Sequence, residues 1–92
     1  MKRDTVSQTS DRITSIIRDH GRRTKQLGIS IELENVSGCK GSEMKLELRM
    51  LYDGYQHSEI VSDCLSADEG AKIHETISTF CKESNGKYAM KE

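Results

Sequence analysis

SEMKLELRMLY, residues 42–52, sets Met44, Leu46, Leu48 and Met50 against Lys45, Glu47 and Arg49. Apolar side chains recurring at every second position are the mark of a strand with one face buried and one face wet. Upstream, Ile29, Ile31 and Leu33 alternate with Ser30, Glu32 and Glu34, which predicts a second half-buried strand over about 29–35. Between the two lies NVSGCKG, a turn cluster with two glycines. The pair reads as a hairpin.

Downstream, Asp53-Gly54 is a second turn signal, and its length decides which side chains of the following strand, about 55–64, face the core. A two-residue type I′ turn places Met50, Leu48 and Leu46 opposite His57, Glu59 and Val61. Glu59 then lies on the apolar face without a partner. A three-residue loop, Tyr52-Asp53-Gly54 closed by glycine as a left-handed bulge, places Leu51 opposite Tyr55 and sends Ile60 and Cys64 inward. A buried unpaired carboxylate costs several kcal/mol, more than a bulge. The bulge is therefore expected. It turns Leu51, Tyr55 and Val61 outward together, beside Arg49, as a candidate interface.

The flanks are helical. Val6, Ile13, Ile16, Ile17, His20 and Leu27 fall near one face, which predicts a helix over about 7–27, capped by Asp4, Ser7 or Ser10 and stopped at Gly28. Gly21 inside it costs about 1 kcal/mol relative to Ala, so the helix either frays there or runs on to Gln26; the phase of Leu27 with Ile13 and Ile16 favours the longer form. Ser66 with Glu69 has capping-box spacing, and Ile73, Ile77, Phe80 and Cys81 form a stripe up to Asn85-Gly86. A second helix is expected over about 67–84, followed by a short tail, 87–92. The result is α+β in α-β-β-β-α order: a two-layer sandwich of a three-stranded antiparallel sheet with both helices on one face. Ninety-two residues suffice for one domain, 1–92, and not for two cores.

Composition narrows the function. Residues 1–28 carry seven basic and three acidic side chains, whereas the rest of the chain carries seven and twelve. Arg12, Arg18, Arg22, Arg23 and Lys25 on the first helix are the candidate basic patch for an acidic partner. The second helix opens as SADEGAK, where Asp68 and Glu69 repel phosphates, so nucleic acid is the second choice. No apolar run approaches the ~20 residues of a membrane span, and MKRDTVSQTS has no apolar core of a secretory signal.

Catalytic chemistry finds little support. Three widely spaced cysteines, Cys39, Cys64 and Cys81, do not suggest a disulfide framework, and a reducing cytoplasm is expected. Cys64 and Cys81 are expected in the core and Cys39, beside Lys40, as the one accessible thiol. A metal site built from Cys64, His74 and Cys81 lacks ligand spacing, and no phosphate-binding glycine motif is present. No catalytic residue, cofactor or metal is therefore assigned. The expected function is a non-enzymatic cytoplasmic interaction module: a regulator, adaptor or inhibitor that covers a larger protein, with homodimerisation as one form. A small phage- or bacterium-encoded inhibitor fits. The alternative is sequence-independent nucleic-acid binding through the first helix.

Overall fold

The strand predicted from the central alternation is the second of a four-stranded mixed sheet. A computed structural model describes residues 4–91 as α1 (Thr5–Gly21), β1 (Leu27–Glu34), β2 (Lys45–Tyr52), β3 (Tyr55–Ile60), α2 (Ala67–Lys82) and β4 (Tyr88–Met90). Lys2, Arg3 and Glu92, which entered the charge and tail readings, lie outside the described residues. The strand order is β3-β2-β1-β4, with β1–β2 and β2–β3 antiparallel and β1–β4 parallel. The α+β sandwich holds; the strand count rises by one because the tail adds β4.

One face of the sheet carries the core. Leu27, Ile29 and Ile31 of β1 and Leu46, Leu48, Met50 and Tyr52 of β2 pack with Ile13 and Ile17 of α1 and Ile73 and Ile77 of α2. Both helices therefore cover the same face, and the opposite face is open. Asp4 caps α1, its carboxylate accepting from the Ser7 N–H at 3.1 Å. Ser66 and Glu69 complete a capping box on α2, a device worth about 1 kcal/mol.

The first helix is shorter than predicted. It ends at Gly21, where a Cβ would sit 2.8 Å from the Tyr88 ring; the missing side chain is the space β4 needs. Leu27, placed in the helix by its phase with Ile13, instead begins β1, its N–H donating to the Lys87 carbonyl at 2.9 Å. The central strand also begins later than 42. Met44 and Leu65 still exchange backbone hydrogen bonds of 3.0 and 2.8 Å as an isolated bridge.

The Asp53-Gly54 turn corrects the bulge. Tyr52 pairs with Tyr55, leaving a two-residue loop with φ of 51° at Asp53 and 77° at Gly54. Both values are positive, as a type I′ turn requires. The third strand ends at Ile60, short of the expected 64; beyond it the Ser62 hydroxyl accepts from the Leu46 N–H at 2.8 Å.

A disulfide, Cys39–Cys64, overturns the cysteine reading: its Cα atoms are 5.5 Å apart across a sequence separation of 25. It ties the loop before β2 to the segment before α2. Cys39 is therefore not a free thiol, and Cys64 is half-buried away from the core cluster. Cys81 is the buried free cysteine, as expected, and burial raises its pKa. Closing a loop of this length restricts the unfolded chain by about 3 kcal/mol. Replacing both Cys39 and Cys64 with Ser should lower unfolding free energy by about that amount in urea titrations under non-reducing conditions. An unchanged midpoint would contradict the bond's structural role.

Candidate functional site

The two-residue turn sets the parity of β3. Met50 lies opposite His57 and Leu48 opposite Glu59, so both polar side chains are on the helix-covered face; Leu51 faces Gln56 and Glu47 faces Ile60 on the open face. The carboxylate whose burial alone would be so costly has a partner: Glu59 Oε2 is 2.5 Å from His57 Nε2. Both residues also sit on an edge strand, where even the helix-side positions stay half-exposed. Burial and facing the helices are separate properties at a sheet edge.

Of the four residues expected to form an interface, the structure keeps Leu51 and Arg49 on the open face and moves the others. Val61 is 2% exposed, part of the core, and is not an interface residue. Tyr55 is 52% exposed but belongs to the helix side of the sheet, at the end of β3. Ile60, expected inside, is 45% exposed, and Leu51 is 51% exposed. Among the described residues these three are the exposed large apolar side chains, and all of them lie on the β2–β3 hairpin. Arg49 is held between Glu47 at 2.6 Å and Glu34 at 3.5 Å. The hydrogen bond and charge of Glu47 raise its pKa, so it braces the open face as an ion pair.

The backbone of β3 adds a second feature. Its alternation follows from the Val61 N–H, which donates to the Leu46 carbonyl at 2.9 Å, and from the closing pair Tyr52–Tyr55. In an antiparallel ladder Tyr55, His57 and Glu59 then bond to β2, and Gln56, Ser58 and Ile60 direct their N–H and C=O groups outward. Since β3 is an edge strand, those outward groups form an open row.

Behind the edge is a polar cluster that sequence reasoning missed. His20, buried near the end of α1, has Nδ1 3.1 Å from the Tyr52 hydroxyl. Its ring centroid is 4.9 Å from that of His57. The signal was present in His57-x-Glu59, since alternate strand positions share a face, but it needed the correct turn parity to be read. Burial, then His57 and Arg23, lower the His20 pKa, with Asp19 and Glu59 opposing. Neutral His20 is thus the form the fold prefers. Among the described residues no group of three or more His, Cys, Asp or Glu side chains is set to hold a metal ion, and Cys64 of the considered Cys64–His74–Cys81 trio is bonded to Cys39.

Of the expected basic patch, Arg12 and Arg18 lie on α1, and Arg22, Arg23 and Lys25 follow its end. Arg12 donates to the Val61 carbonyl at 3.1 Å, at the end of β3. Arg18 lies over the Phe80 ring of α2, 5.1 Å from its centroid. Arg22 and Arg23 both approach Asp19, at 4.0 and 3.7 Å, and Lys25 is exposed in the loop beyond.

No protein-family model matches the chain, and no curated protein and no solved structure is significantly similar to it.

The His20 environment gives a signed pH dependence. Its folded pKa lies below the ordinary 6.5, so the unfolded chain takes up the proton more readily, and stability present above about pH 6.5 is lost as pH falls below it. Thermal melting from about pH 8 to about pH 5 should show a smaller acid-side fall in Tm for His20→Phe than for the wild type. Parallel falls in the two proteins would remove His20 as a cause.

Proposed function

We propose that this chain is a non-enzymatic protein-interaction module, a regulator, adaptor or inhibitor, whose contact region is the β2–β3 side of the sheet. The observation that carries the reading is the coincidence of three exposed apolar side chains, Leu51, Tyr55 and Ile60, with an edge strand presenting outward backbone groups. Isolated exposed apolar residues are ordinary. Their confinement to one hairpin beside an open sheet edge supports recognition of an extended segment by strand addition.

The non-enzymatic part of the proposal rests on the thiols. Cys39 is in a disulfide and Cys81 is buried with a raised pKa, so neither is a poised nucleophile. Nucleic-acid binding through α1 is the weaker proposal, because Arg12, Arg18, Arg22 and Arg23 already contact carbonyl, aromatic and carboxylate groups. No helix among the described residues is long and apolar enough to cross a membrane. A cytoplasmic setting requires the Cys39–Cys64 bond to persist against the cytoplasmic thiol pool, whereas an oxidising compartment maintains it unaided.

The experiment is affinity capture from cells that make the protein, comparing wild type with the double variant Tyr55→Lys, Ile60→Lys. A specific protein retained by the wild type should fall by about tenfold or more with the folded variant. Equal recovery by both, with unchanged circular dichroism, would refute the assignment of this surface.

A further inference from the structure

We infer that the occupant of the β3 edge is β3 of a second copy of this chain, paired antiparallel about a two-fold axis at Ser58. This rests on the interaction reading above and names the partner for its edge.

An incoming strand must match the side chains and backbone groups that β3 presents. His57 and Glu59 lie on the helix side of the sheet, alternating with the outward-bonding positions Gln56, Ser58 and Ile60. His57 and Glu59 already pair within the chain, and this inward-pointing polar pair on an edge strand discourages pairing with an arbitrary apolar strand, which would strip water from both groups. The strand that offsets this desolvation presents a further donor opposite Glu59 and a further acceptor opposite His57. Antiparallel pairing with itself reverses the order of the two residues and supplies both.

Register selects one arrangement. Outward-bonding residues must face outward-bonding residues, so β3 can shift against its copy only in steps that preserve that parity. With the axis at Ser58, Gln56 pairs with the partner's Ile60 and Ser58 with the partner's Ser58, giving about six backbone hydrogen bonds. The same register sets His57 opposite the partner's Glu59, and Glu59 opposite the partner's His57. Moving the axis to residue 57 sets imidazole against imidazole. Moving it to residue 59 sets carboxylate against carboxylate, which is repulsive. Both shifts also lose backbone bonds at the end of a six-residue strand. The favoured register joins two four-stranded sheets into one eight-stranded sheet whose open faces are continuous.

Ser58 gives a clean test. Its N–H points away from β2, so Ser58→Pro removes a donor at the two-fold axis without removing a bond inside the protomer, the setting in which an edge strand tolerates proline. Sedimentation of the full chain from about 10 μM to about 500 μM should show concentration-dependent dimerisation, as expected of a small interface. Ser58→Pro should weaken it about tenfold or more. His57→Glu should do the same, by setting a second carboxylate against the partner's Glu59. The exchanged pair His57→Glu, Glu59→His should restore self-association to within about threefold of wild type. Circular dichroism confirms that each variant is folded. Three results would overturn the pairing: a wild type monomeric across the range, a dimer indifferent to Ser58→Pro, or an exchanged pair that stays folded without recovery. A monomeric wild type that still captures a protein through Tyr55 and Ile60 overturns the second copy alone and leaves the interaction reading standing.

Discussion

A two-residue turn at Asp53-Gly54 determines which face every side chain of β3 occupies. Side chains alternate along a strand, so a loop one residue longer would exchange the two faces completely. With both turn residues at positive φ, Tyr52 closes on Tyr55, His57 and Glu59 turn toward the helices, and Ile60 turns out. The polar cluster with His20, the exposure of Ile60 and the outward backbone groups of Gln56, Ser58 and Ile60 all follow from that parity. Glycine at 54 has φ of 77°, where an L side chain costs about 1 kcal/mol or more.

Much of the architecture was legible from the chain. The alternation from Met44 to Met50, the second alternation from Ile29, and the Ser66/Glu69 box identified β2, β1 and α2 because each is a local pattern with a local cause. The end of α1 was not legible for a reason specific to Leu27. That residue continues both the helical stripe from Ile13 and the strand alternation with Ile29 and Ile31. Leu27 is drawn into β1 by its pairing with the tail, its N–H bonded to the Lys87 carbonyl, a contact between residues far apart in sequence. β4 was hidden similarly: three residues show no period, and they become a strand through pairing with β1.

The site was only partly legible, for an energetic reason. Glu59 was assigned to solvent because a buried lone carboxylate is expensive. Its neighbour two residues away removes the penalty, and the strand's edge position reduces it further. The cost was real but its premise, an unpartnered and fully buried acid, was false. The Cys39–Cys64 bond was missed because three cysteines at wide spacing favour no particular pair, whereas the fold brings the loop before β2 beside the segment before α2.

The resulting picture is a sheet with three kinds of boundary: one face sealed by two helices, one face braced by Arg49 between Glu47 and Glu34, and one edge left open at β3. Residue-resolved amide hydrogen exchange at low protein concentration tests this arrangement most directly. It should find the Tyr55, His57 and Glu59 amides protected by β2 and those of Gln56, Ser58 and Ile60 exchanging much faster. The reverse alternation, or uniform protection along β3 in the dilute protein, would contradict the turn parity on which the account is built.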